Sequence, residues 1–480
     1  MALTQQAAAE LHIFFFPFMS PGHLIPMVDI ARLIATHGIK VSIATTPHNI
    51  SRFKSMLLRD NSSTANYNHI NLYELQFPFT AANLPENCEN LDCLPTRQLS
   101  YNFSKATMML QPQADHLVRL HSPDAIVSDF NLPWTAQIAA KYGIPRLAFY
   151  GTCCFSISIS VAMAISSHAN TISSDTEPFL VPEFFNKHVE AESKTYGVVA
   201  NSFYELEQEY VDYYEKIAGK KVWPVGPVSL FNTKTIDITE RGNKASIEKD
   251  KILTWLDSRR PNDVLYVCFG SISVFAKSQI LEIGLGLEAS KRPFIWVIRD
   301  NIANQDGVLP DGFEERVKNR GLIIKGWAPQ VLILNHSAVG GFMTHCGWNS
   351  VLESVTAGVP LITWPLFGEQ FYNENFVVNR LGIGVGIGVE TGLAWGEEEE
   401  IGALVKWDRV VETVNRLMGG GEAVEEMRER VSQLGELARS AVAKGGSSVV
   451  NIGRLVEDLL SLKNEKLMNR QNIGAMRNHE

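Results

Sequence analysis

From Leu11 to Pro17 nearly every position is apolar, and the run breaks at Met19-Ser20-Pro21-Gly22-His23. A strand covered on both faces reads this way, because neither side meets solvent. Ile25 to Thr36 then carries apolar residues at helical spacing, Gly38 is placed as a stop, and Ile39 to Ala44 resumes a strand pattern. The same order recurs at Ala125 to Ser128 (strand), Pro133 to Tyr142 (helix) and Arg146 to Tyr150 (strand), with Gly197 to Phe203 as a further strand. Such alternation predicts an α/β protein with a parallel, doubly wound sheet. Thr152 to Ala169 is apolar but interrupted by serines and His168, and reads as a buried helix.

The pattern changes at Trp223-Pro-Val-Gly-Pro227 and becomes polar from Asn232 to Lys251, as expected of a link between domains. The alternation then restarts. Strands are expected at Val264 to Phe269, Pro293 to Arg299, Leu322 to Lys325, Val339 to Met343 and Leu361 to Pro365, with a helix at Ser278 to Ala289. Asp408 to Met418, Ala423 to Ala443 and Val449 to Leu462 read as helices, and the tail after Lys463 as polar and disordered. The expected division is 1–231, a linker at 232–251, 252–448, and a terminal helix and tail at 449–480. Two open sheets in series leave a cleft lined by the carboxyl ends of their strands, where ligands bind in such folds.

Composition narrows the class. The 480 residues exceed what one core serves, and 45% hydrophobic against 20% charged residues suits a globular chain. A formal charge of −9 argues against nucleic acid as a partner. Six scattered cysteines point to a reducing compartment, so a cytoplasmic location is expected. Cys88 and Cys93 lack a second pair at ligand spacing, and no metal is expected. The N-terminus lacks a signal-peptide pattern, and no apolar run reaches the ~20 residues of a membrane span.

Five places could carry chemistry. His23 follows a buried strand and can remove a proton from a bound hydroxyl, while Asp129, ending Ala125 to Ser128, emerges on the same sheet edge and can orient the ring. His37, His48, His116 and His121 lack such placement and read as surface residues. His345-Cys-Gly-Trp-Asn-Ser350 opens a helix with small and polar residues, which leaves backbone N–H groups for an anion. Glu369-Gln370 pairs an acceptor with an amide able to match neighbouring hydroxyls, and Trp327 offers a face for a base to stack on. Phe269-Gly270-Ser271 is a further small-residue loop. A Walker lysine, a strand-to-helix G-x-G-x-x-G and a G-x-S-x-G elbow are all missing, which argues against P-loop, nicotinamide-dependent and α/β-hydrolase chemistry.

Together, Trp327-Ala-Pro-Gln330, His345-Cys-Gly-Trp-Asn-Ser350, Glu353, Pro360, Pro365 and Glu369-Gln370 resemble the signature box of plant UDP-dependent glycosyltransferases, and its 44 positions match the family's length. Pro21-Gly22-His23, Ser128-Asp129, Asn201-Ser202-Phe203 with Glu205-Leu206, and Gly445-Gly-Ser-Ser448 extend the resemblance over nearly the whole chain. It implies a GT-B fold, with the last helix crossing back onto the first domain, and inverting, metal-independent transfer from a UDP-sugar, UDP-glucose being favoured by the terminal Gln370. It implies His23 as base and Asp129 as its support. Trp327 and the Ala328 backbone would hold uracil, Gln330 and Glu353 the ribose, and Ser271, His345, Asn349 and Ser350 the diphosphate. Trp348, Glu369 and Gln370 would contact the sugar. Glu369 stands where relatives often have Asp. The chain resembles the branch acting on triterpenoids, then flavonoids, and a monomer is expected.

One departure concerns the acceptor side. Between Pro178 to Pro182 and Tyr196 to Val199 relatives carry a few dozen more residues, whereas here the link is about Glu183 to Thr195. A UDP-sugar-binding protein with weak or no catalysis therefore stands as the alternative. Asn83 to Pro95, Phe130 to Trp134 and Gly151 to Ser158 are expected to line a hydrophobic acceptor pocket.

Overall fold

The computed structural model describes residues 11–63, 70–165, 182–303, 307–393, 396–397 and 400–477. The first sheet has seven parallel strands in the order β3-β2-β1-β4-β5-β6-β7. They are β1 (His12–Phe16), β2 (Lys40–Thr45), β3 (Ile70–Glu74), β4 (Ala125–Asp129), β5 (Arg146–Phe149), β6 (Gly197–Ala200) and β7 (Lys221–Pro224). The second has six, in the order β10-β9-β8-β11-β12-β13: β8 (Val264–Cys268), β9 (Phe294–Ile298), β10 (Gly321–Lys325), β11 (Val339–Thr344), β12 (Leu361–Thr363) and β13 (Gly384–Gly386). All pairings are parallel. The expected pair of Rossmann-like sheets is present.

In each sheet the chain winds outward one way and then the other. The reversal falls between β1 and β4 in the first sheet and between β8 and β11 in the second. Phe16 sits beside Ser128, and Cys268 beside Thr344. At such a point the loops leaving adjacent strands diverge to opposite faces and open a crevice. His23 follows β1 and Asp129 ends β4, while Ser271 and His345 follow β8 and β11.

The helix Ser447–Arg477 crosses back. Its Ile452, Leu455 and Leu459 belong to the same buried cluster as Ile13, Ile34 and Trp223 of the first domain. Asn451 donates to the Pro224 carbonyl at 3.0 Å, and Lys221 pairs with Asp458 at 2.5 Å. This corrects the reading of a disordered tail after Lys463: Lys463 pairs with Asp124, and Lys466 donates to the Tyr142 carbonyl at 3.0 Å, so the first domain holds the helix in place.

Other expectations shift. The link expected at Glu183 to Thr195 contains the helix Pro182–Ser193. The buried helix is Cys154–Ile165, and the readings at 166–169 and at 178–181 lie outside the described residues. His121 is half-buried against Phe14 and Tyr73, and His48 lies among Arg52 and Cys93, so neither is a plain surface residue. Among the described residues no helix is long and apolar enough to cross a membrane, and no cluster of potential metal ligands occurs.

His12 on β1 is buried with Nε2 2.8 Å from the Ser42 hydroxyl, and burial, aided by Lys40, pushes its imidazole down to about 4. Burial alone pushes His345 down to about 4 as well. An unfolded histidine takes up its proton near 6.5, so between about 6.5 and 4 the unfolded chain binds more protons than the folded one. The stability from burying these rings neutral is therefore present above about 6.5 and lost as pH falls to 4, by up to about 3 kcal/mol each. Urea midpoints measured across this window should fall with pH, and less steeply in His12→Asn; equal slopes would count against His12.

Candidate active site

A cleft of about 1250 Å³ runs between the two sheets and contains most of the residues singled out from the sequence. On the first-domain wall, Pro21 starts the helix Pro21–Ala35 behind Ser20, so His23 lies in its first turn, directly after the loop from β1. Nδ1 of His23 is 2.7 Å from Oδ2 of Asp129. Asp129 is fully buried, and its other oxygen accepts from the backbone N–H and side-chain amide of Asn131 at 3.0 and 3.1 Å. The edges of Phe18 and Phe149 hold the imidazole on two sides. With Nδ1 donating to the carboxylate, Nε2 is left as the basic nitrogen.

The second-domain wall holds the remaining groups. The helix Trp348–Ala357 points its N-terminus into the cleft. His345, just before it, is buried, and burial pushes its pKa down to about 4, so its ring is neutral near pH 7. Gln330 donates to the Ser350 hydroxyl at 3.1 Å and to Glu353 at 2.9 Å, while its carbonyl accepts from Tyr266 at 3.4 Å. Trp327 lines the cleft next to Ala328, and its buried Nε1–H meets no acceptor among the described residues.

Glu369 is half-buried opposite His23. Burial raises its pKa, and the nearby His23 ring works the other way. The Gln370 carbonyl accepts from the N–H groups of Leu366 and Phe367 at 2.9 and 3.3 Å, so only its amide NH₂ remains for a ligand. Trp348 and Asn349 act first as a join between domains. The Trp348 indole donates to the Asn201 carbonyl at 2.7 Å, and the Asn349 amide donates to the Gly22 carbonyl at 2.5 Å while accepting from Asn201 at 3.1 Å.

The acceptor end departs from the sequence reading at two points. Of Asn83 to Pro95, only Asp92 to Pro95 reach the cleft. Of Phe130 to Trp134, only Phe130 does: Trp134 faces the core and donates to the Thr107 carbonyl at 3.1 Å, because the helix Trp134–Tyr142 turns that side inward. Gly151, Thr152, Ser156 and Ile157 line the wall as expected, joined by Tyr150, Val161 and His188. Sequence reasoning missed Asn201 as the partner of both Trp348 and Asn349, and missed Arg241 altogether; their partners are far away in sequence and leave no local signal.

Residues 167–391 match the family described as UDP-glucoronosyl and UDP-glucosyl transferase, and residues 9–230 match the glycosyltransferase N-terminal domain. The chain is 46% identical to UDP-glycosyltransferase 73C2 of Arabidopsis thaliana, over 95% of this chain and 98% of that protein. The chain belongs to the plant family 1 UDP-glycosyltransferases. It is thus a glycosyltransferase with a UDP-sugar as donor, and its two sheets form the GT-B fold. Among solved structures, Glycyrrhiza uralensis UGT73P12 in complex with glycyrrhetinic acid 3-O-monoglucuronide superposes with a TM-score of 0.87 at 39% identity, covering 98% of this chain and all of that one. Arabidopsis thaliana UGT89C1 in complex with UDP-L-rhamnose gives 0.75 at 31%, covering 94% and 99%. The match to 73C2 is 488 positions long but holds only 95% of this 480-residue chain, so that relative carries residues with no counterpart here.

Two glycines make this glycosyltransferase's histidines possible. Gly151 has φ +73°, and a Cβ there would lie 2.7 Å from the His23 ring; Gly270 has φ +80°, and its Cβ would lie 2.5 Å from His345. Gly151→Ala should lower the transfer rate roughly tenfold or more by displacing the His23 ring, with UDP affinity little changed. Gly270→Ala should instead weaken UDP. Separate kcat and UDP-binding measurements on both variants check this, and a shared loss in both quantities would contradict it.

Proposed function

We propose that this enzyme transfers glucose from UDP-glucose, with inversion and without a metal, to a hydroxyl or carboxyl of a hydrophobic plant product, a triterpenoid sapogenin first and a flavonoid next. The single observation behind it is the 2.7 Å His23–Asp129 pair in the cleft wall facing Glu369. His23 Nε2 removes the acceptor proton, and Asp129 holds the tautomer and stabilises the imidazolium. The acceptor oxygen forms its bond to the anomeric carbon as the bond to the UDP oxygen breaks. The charge on the departing diphosphate falls at the N-terminus of the helix Trp348–Ala357, where Asn349, Ser350, Ser271 and His345 can donate.

Trp327 and the Ala328 backbone take the uracil in this reading, Gln330 and Glu353 the ribose, and Trp348, Glu369 and the Gln370 amide the sugar. The apolar part of the cleft lining, which includes Leu94, Pro95, Phe130, Ile157 and Val161, suits a large hydrophobic acceptor. The likeness to the Glycyrrhiza enzyme bound to a triterpenoid glycoside favours the same acceptor class. We further propose a monomer acting in the cytoplasm. The alternative, UDP-sugar binding with weak or no catalysis, follows from the short link near 183–195.

The test is UDP-glucose with a panel of triterpenoid and flavonoid aglycones, products being identified by mass. One added hexose, reduced at least a hundredfold in His23→Ala while UDP still binds, is the expected outcome. Asp129→Asn should lose activity by a comparable factor with the fold intact. UDP binding without any product in the wild type would favour the alternative.

A further inference from the structure

The linker does more than join the domains. Arg241 lies across the cleft: Nη1 donates to Oε1 of Glu353 in the second domain, and Nε donates to Oδ2 of Asp29 in the first at 2.8 Å. The Gln330 amide occupies Oε2 of Glu353 at 2.9 Å. Both oxygens of the carboxylate assigned to the ribose are therefore engaged, one by a charged donor. The same strap reaches the base site. The Trp327 N–H donates to the Ser246 hydroxyl and the Ser246 N–H donates to the Trp327 carbonyl, each at 2.9 Å, and Gly242 at φ +94° lies so close that a Cβ would stand 2.4 Å from the indole. Asn243 ties the strap to Asp92 and Arg52 of the first domain at 2.9 and 2.7 Å.

We propose that Arg241 is an internal occupant of the ribose-binding carboxylate, a latch that the donor must displace. Neighbouring ribose hydroxyls are two donors that need the Glu353 oxygens as acceptors, so they compete with the guanidinium for Oε1. Displacement leaves no lone buried cation, because Asp29 keeps its bond to Nε. The latch spans both domains, so donor entry loosens one tie across the cleft while the Asn349 tie to Gly22 persists. It rests on the donor-site reading above, and concerns the affinity of that site.

Calorimetry with UDP and with 2′,3′-dideoxy-UDP, which lacks the competing hydroxyls, tests it. Arg241→Ala should bind UDP about tenfold more tightly than wild type, the size of one hydrogen bond to a charged group, and dideoxy-UDP with unchanged affinity. Arg241→Lys, which keeps a cation near Asp29 but cannot span both carboxylates in the same way, should tighten UDP by a smaller factor. It decides the matter should the alanine variant fail to fold. Weaker or unchanged UDP binding in the variants would overturn the latch, weaker binding making Arg241 a ligand of the donor. Equal tightening of UDP and dideoxy-UDP would overturn it too, since the ribose hydroxyls would then play no part. Failure of the wild type to bind UDP at all would overturn the donor-site reading itself.

Discussion

The tie between Asn349 and the Gly22 carbonyl fixes the geometry on which the cleft depends. Gly22 precedes His23, and Asn349 lies in the first turn of the helix that follows β11, so one amide joins the helix starts at the two switch points. Asn201 completes the clasp by donating to Asn349 and accepting from Trp348. Each sheet alone would present half a site. A displacement nucleophile and its leaving group have to be aligned within tenths of an ångström, and two domains linked by a polar strap have no reason to hold such alignment unless groups beside the reacting atoms cross the gap. The buried contact of Cys153 and Ser156 with Asn373, at 3.1 and 2.9 Å, adds a second crossing on the acceptor side.

Burial governs the chemistry of the groups so aligned. Asp129 is sealed from solvent, and its two oxygens take one bond from His23 and two from Asn131, which fixes its direction as well as its position. A fully buried carboxylate without such donors would be far less favourable. On the opposite wall Glu369 lines the cleft, and burial raises its pKa. The two carboxyl groups differ in their surroundings, one buried and bonded to a histidine, the other lining the cleft.

The sequence carried the parallel sheets well because β1, β4, β8 and β11 are continuous apolar runs, the mark of strands covered on both faces. The strands it missed lack that mark. β3 is half-exposed Ile-Asn-Leu-Tyr-Glu at a sheet edge, and β7 is four residues ending in Pro. The signature box and His23 were legible because their chemistry is local in sequence. Asn201 and Arg241 were not, since Asn201 meets Asn349 148 positions away and Arg241 meets Asp29 and Glu353 at separations of 212 and 112. Trp134 was misplaced for a related reason: proximity to Asp129 in sequence suggested the cleft, but helical rotation turned the indole to the core.

Neutral His345 adds the last constraint on how the proposed reaction handles charge. Its ring is packed against Gly270 and Gly347, where a Cβ would come within 2.5 Å, and this packing excludes the water that would otherwise stabilise an imidazolium. A cation at this place would carry the cost of losing its hydration in a packed site, a cost that a neutral ring avoids. A neutral donor attracts most strongly where negative charge grows, because the hydrogen bond strengthens as the bridging oxygen takes up the bonding electrons. The helix N-terminus beside His345, a set of fixed partial charges, acts in the same direction.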